Sequence, residues 1–140
     1  MIRPLTLSLT LALLLAGCAR TPYPHSEPAR CAADSAMTQT TLYFGLNRPS
    51  GPGITPQEWQ QFVDRDVTPR FRDGLTVFDA RGQWLGKDGT VAREPSKALM
   101  LIHTQDANSE AAIEALRGIY TSRFAQESVM RVDQPVCVKF

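Results

Sequence analysis

The chain is short of the residues that metal and redox chemistry draw on. It holds two histidines and three cysteines among 140 residues, with no Cys-x-x-Cys and no His-x-x-x-His spacing. That leaves no ordinary zinc site and no thioredoxin-like pair, so no metal or other cofactor is expected. No glycine-rich phosphate loop is present, and the serines have no evident histidine and acid partners for a hydrolytic triad. Charge of one sign is lacking too: 15 Lys+Arg stand against 14 Asp+Glu, a formal net charge of +1. Such a balance gives no basic field for a nucleic-acid partner and no acidic tail. No apolar run approaches the roughly 20 residues that a membrane-spanning helix needs. What is present is a globular composition, 43% hydrophobic and 21% charged, in a length that suits one domain.

The N-terminus reads as an address. Residues 1–17 have the form of a signal peptide, with Arg3 as its positive region and an apolar stretch from Leu5 to Leu15, interrupted by Thr6, Ser8 and Thr10. Leu15-Ala16-Gly17-Cys18 then resembles a bacterial lipobox. The expectation is cleavage before Cys18 and acylation of its thiol and new amino group. Acyl chains of this kind hold a protein to a membrane at about 0.8 kcal/mol per buried methylene. Ala19 stands where an aspartate would resemble an inner-membrane retention signal, which points to the outer membrane, facing the periplasm. Residues 18–37 carry Pro22, Pro24 and Pro28 and no helical or strand period, so they read as a lipidated tether and linker, with His25 a solvated tether residue.

Residues 38–140 read as a single domain. Thr40–Arg48 alternates, with Leu42, Phe44 and Leu46 on one face and Tyr43 on the other, which predicts a strand. Thr55-Pro56-Gln57-Glu58 is a capping box with proline at the first helical position, and Trp59, Phe62, Val63 and Val67 form the apolar face of a helix that ends at Pro69. Leu75–Trp84 and Ser96–Thr104 read as strands joined through the turn at Lys87-Asp88-Gly89, with Pro95 interrupting the second arm. A helix follows from about Asp106 to about Gln126, then a last strand within Val129–Phe140, bent at Pro135. The order β-α-β-β-α-β predicts an α+β, ferredoxin-like sandwich, an antiparallel sheet in the order 4-1-3-2 with two helices on one face. Cys18 being assigned to lipid leaves Cys31 and Cys137 as an even pair in an oxidising compartment. The topology brings the end of the last strand beside the start of the first, so a Cys31–Cys137 disulfide is expected.

The stretches TTLYFGLNRPSG, ITPQEWQQFVDRDVTPRF, DGLTVFDARGQW, REPSKALMLIH, RFAQESVMRVD and PVCVKF resemble the bacterial lipoprotein family catalogued as domain of unknown function 3574, over roughly residues 38–140. The resemblance supports one domain and is in keeping with a lipobox. It brings no activity or catalytic residue.

Strand alternation places Tyr43, Lys97 and His103 on the sheet face away from the helices, with Glu94 just upstream of Lys97, and adds Arg131 and Asp133 if Met130 and Val132 point to the helices. Lysine, arginine and tyrosine on one face suit recognition of a carboxylate or phosphate. Leu99 and Leu101 would then lie between the charges as apolar surface that wants cover. Trp84, in the hairpin arm, is a candidate partner anchor, whereas Trp59 belongs to the core. These residues predict a non-catalytic binding or interaction module, with a homodimer or an envelope protein as partner. The alternative is a small envelope enzyme with an anion-binding pocket on that face, Tyr43 or His103 as acid or base and Lys97 with Arg131 on the anion.

Overall fold

The structure, a computed structural model, describes residues 31–140 apart from Ala33; the signal segment, Cys18 and the tether up to Arg30 lie outside the described residues. The elements are β1 (Ala36–Gly45), α1 (Pro56–Phe62) continuing into a π-helical turn (Val63–Val67), β2 (Thr76–Leu85), β3 (Val91–His103), α2 (Ala107–Phe124) and β4 (Met130–Cys137). The four strands form one sheet in the order β2-β3-β1-β4, with every neighbouring pair antiparallel. This is the expected ferredoxin-like α+β sandwich.

Local chemistry starts each helix. The Thr55 hydroxyl accepts from the Glu58 N–H at 3.2 Å while the Glu58 carboxylate accepts from the Thr55 N–H at 2.8 Å. The Thr55 backbone bond and then the Arg48 guanidinium hold the Glu58 carboxyl down at about 2. The helix widens at its end, where the Thr68 N–H donates to the Val63 carbonyl five residues back at 2.9 Å. That turn buries Val63, Asp66 and Val67. Arg123 of α2 reaches Asp66 at 2.6 Å and ties the two helical segments together. At the start of α2, Asp106 accepts from the N–H groups of Asn108 and Ser109, both at 2.9 Å.

Phe44 sits at the centre of the core, 4.6 Å from Tyr120, 5.3 Å from Trp59 and 5.5 Å from Phe62 between ring centroids. Leu42, Leu99, Leu101, Ile113 and Leu116 surround this aromatic cluster and are fully buried. Cys31 and Cys137 are bonded, with Cα atoms 5.3 Å apart. Cys137 pairs with Ala36 at the start of β1, the juxtaposition that the strand order requires.

One expected break is absent. β3 runs straight through Pro95, which pairs with Arg81. The Pro95 carbonyl accepts from Leu46 N–H on the β1 side. A residue's nitrogen and carbonyl point to the same side of a strand. The missing donor therefore falls beyond the last pair of β1 with β3, Gly45 with Ser96, and removes no bond from the β2–β3 ladder.

Candidate functional site

The two faces of the sheet are the reverse of the sequence expectation in β3 and β4. Thr40, Leu42 and Phe44 of β1 face the helices, and their partners on β3 are Leu101, Leu99 and Lys97. On β4, Arg131 pairs with Leu42 and Asp133 with Thr40, so both point to the helix side. Lys97, His103, Arg131 and Asp133 are therefore not on the open face, and Leu99 and Leu101 are core residues rather than an apolar strip in need of cover. The physical reason is that burial of two leucines outweighs the exposure wanted by the polar residues sharing their parity, because those residues find partners at the edges of the helix layer.

Each displaced residue is engaged there. Lys97 pairs with Asp79 on β2. His103, nearly buried, donates from Nδ1 to the Thr104 carbonyl at 2.8 Å and meets the Thr40 hydroxyl through Nε2 at 2.8 Å. Thr40 donates to Asp133 at 2.6 Å. Arg131 spans Glu110 at 2.6 Å and Glu114 at 3.0 Å on α2, and Asp133 at 3.0 Å on its own strand. These bonds hold the Arg131 guanidinium firmly protonated, with Glu110 the largest contributor. A cation with three carboxylate partners is a structural clamp between β4 and α2, and no free anion site remains around it.

The open face carries different chemistry. Its strand positions are Met37, Gln39, Thr41, Tyr43 and Gly45 on β1, matched by Ile102, Met100, Ala98 and Ser96 on β3. β2 adds Thr76, Phe78, Ala80, Gly82 and Trp84, and β4 adds Met130, Val132, Gln134 and Val136. Glu94 is the sole charged residue among these described strand positions and their arm continuation. Phe78 is 51% exposed, Met130 57% and Val132 39%.

Of the residues singled out in the sequence, Tyr43, Trp84 and Glu94 do come together. They line one open cleft of about 1000 Å³ beside the hairpin arm, with Gly45, Gly82, Ser96 and Met130. The Glu94 carboxylate lies over Gly45: a Cβ there would sit 2.7 Å from one of its oxygens. Below this floor the Tyr120 hydroxyl donates to the Gly45 carbonyl at 2.8 Å. Burial pushes the Tyr120 phenol well above its ordinary value, so it stays a donor. The roles of Gly45, Gly82 and Met130 escaped sequence reasoning. The two glycines carry no motif, and the parity of β4 appeared to send Met130 inward. Among the described residues no three His, Cys, Asp or Glu side chains converge to hold a metal ion.

An antiparallel sheet with two helical segments on one face, and an opposite face that the described residues leave uncovered and nearly chargeless, defines the class: a ferredoxin-like α+β domain. The chain belongs to the family described as Protein of unknown function (DUF3574), whose profile matches residues 39–140. No curated protein matches it. Among solved structures it is similar to a phage SAM lyase in complex with S-methyl-5'-thioadenosine, at 18% identity and a TM-score of 0.55, covering 81% of this chain and 97% of that one. The apo state of a phage SAM lyase gives 18% identity, a TM-score of 0.54, and coverage of 75% and 92%. CutA from Synechococcus elongatus PCC7942 gives 13% identity, a TM-score of 0.48, and coverage of 74% and 79%. At such identities the likeness to the lyase is one of fold.

Proposed function

We propose that this chain is an envelope lipoprotein, held by Cys18 to the outer membrane and facing the periplasm, whose domain is an interaction module that pairs with a second copy of itself through the open sheet face. The observation that carries the reading is the composition of that face: exposed Phe78, Met130 and Val132 around Met100 and Ile102, with Glu94 as its one charge at the arm end. A face whose one charge stands at its arm end meets a second copy of itself with little repulsion, and its apolar surface gains by leaving water.

The footprint is large enough. β1 and β3 pair over eight residues. Eight residues of strand by four strands give about 26 × 19 Å, or about 500 Å² per copy before side-chain relief is counted. Two footprints total about 1,000 Å², which reaches the size at which specific interfaces begin. The tether suits this face less well, since Arg20–Arg30 is rich in proline and polar residues.

The test is sedimentation of the full chain in density-matched detergent. Wild type should sediment as a dimer or larger closed assembly, and Phe78→Asp should sediment as a monomer with its thermal midpoint unchanged. A wild-type monomer at micromolar concentration overturns the reading. The anchor has its own test: Cys18→Ser should abolish labelling by a metabolic fatty-acid probe, and retained labelling would refute it.

A second reading, a small enzyme, is favoured by one observation, the unpartnered Glu94 carboxylate in a cleft that Tyr43 shares. S-adenosylmethionine and S-methyl-5'-thioadenosine, named for the similar lyase, are its first probes. Turnover that Glu94→Gln abolishes would establish it, and no turnover of the first with no binding of the second would remove this version of it.

A further inference from the structure

The hairpin arm extends the sheet beyond the end of β1. Past the Gly45–Ser96 pair, β2 and β3 continue together to Leu85 and Val91. On the open face of this arm, Glu94 pairs with Gly82 and Trp84 with Ala92. Glycine flanks Glu94 and Ser96 on both neighbouring strands, and the carboxylate fills the space. A Cβ at Gly45 would meet its oxygens at 2.7 and 2.8 Å, and one at Gly82 would meet Ser96 Oγ at 3.3 Å and Glu94 Cγ at 3.6 Å. The carboxylate is seated, yet no side-chain hydrogen bond or ion pair reaches it among the described residues. Since no buried side-chain oxygen or nitrogen lacks a partner, its oxygens stay open to solvent in the cleft.

Two of the three arginines that line the cleft are engaged elsewhere. Arg48 donates to the Pro52 and Gly53 carbonyls and to Glu58. Arg93 donates to Gln83, its cross-strand partner on the opposite face of the arm, and Arg81 has that same parity. Trp84, Tyr43, Ala92 and Met130 supply the apolar and aromatic part of the lining, beside polar Asn47, Ser96, Gln126 and Ser128 and a second carboxylate, Glu127. A neutral apolar guest would strip water from the carboxylate without replacing it, and an anion would be repelled. A metal ion would find no set of three His, Cys, Asp or Glu side chains among the described residues, although Glu127 also lines the cleft. A positively charged organic group satisfies both parts of the site, since it neutralises Glu94 and is attracted to the faces of electron-rich rings.

We propose that this cleft binds a small organic cation, an ammonium on an apolar body, with its charge on Glu94 and its carbon surface against Trp84, Tyr43 and Met130. The site goes beyond self-association, and its test reads ligand binding rather than mass, so the two readings fail separately. The experiment titrates the full chain, in maltoside micelles, with choline and with its uncharged isostere 3,3-dimethyl-1-butanol. Ligand-observed NMR and Trp fluorescence follow the binding. Choline should bind saturably and the isostere at least tenfold more weakly. Glu94→Gln should weaken choline by tenfold or more while the thermal midpoint stays put. Trp84→Ala should weaken it too, and Gly45→Ala should do so by displacing the carboxylate. No saturable choline binding, equal binding of choline and isostere, or an unaffected Glu94→Gln variant would overturn the proposal.

Discussion

At the scale of the residue, the polar side chains that looked like a recognition surface are fasteners, Lys97, His103 and Asp133 between strands or beside them and Arg131 between β4 and α2. Thr40 is fully buried and serves His103 and Asp133 together. Thr40→Val keeps the shape and strands two polar partners, so it should cost about 1–3 kcal/mol in reversible chemical unfolding. The clamp at Arg131 gives a pH dependence of definite sign. Arg131 lowers the Glu110 carboxyl, and Arg117 followed by Arg131 lowers Glu114. At Asp133 burial pushes upward but is outweighed by the bonds from Thr40 and Arg131, so the net shift is down. Carboxyls lowered by folding contribute stability above their unfolded values and lose it as pH falls through the folded ones. Stability should therefore decline below about pH 4.5, the ordinary value of the two glutamates. Arg131→Ala should flatten that acid limb and remove on the order of 1–2 kcal/mol at neutral pH, as unfolding curves at both ends of the range would show.

At the scale of the element, the number, type and order of helices and strands were legible in the sequence, because capping boxes, turn residues and apolar periods are local signals. The faces of β3 and β4 were not. Ala98-Leu99-Met100-Leu101-Ile102 is apolar in both parities, so alternation could not choose between them. Lys97 and His103 share the parity of the leucines and made it look solvated. Only the register with Leu42 and the acidic flank of α2 settles the matter. In β4 the usual rule inverts, since the charged parity meets Glu110 and Glu114 while Met130 and Val132 face outward. Leu101→Asp should consequently unfold the domain outright, seen as loss of the cooperative thermal transition, and report nothing on assembly. The disulfide was legible because topology alone brings its ends together. It closes a separation of 106 residues. Cys137→Ser should cost on the order of 4–5 kcal/mol in the chain-entropy picture, measured by unfolding against oxidised wild type.

At the scale of the whole molecule, the domain has one face built by its own helices and one face that its described residues leave uncovered. That asymmetry is the centre of the functional account. Pairing through the face would bury Phe78, Met100 and Val132, and the Glu94 cleft lies toward its arm end, where Trp84 stands half exposed. Lipid anchoring would raise the local concentration of copies in the plane of the membrane and favour such pairing at modest intrinsic affinity. The most direct measurement places one new thiol on the open face, Thr41→Cys, and another on the exposed side of α2, Ser122→Cys, in otherwise wild-type chains. Intact cells making each at native level are treated with a short bismaleimide. The account predicts a covalent pair of this chain from Thr41→Cys and little from Ser122→Cys. Equal yields from the two positions, or no pair from Thr41→Cys, would contradict it.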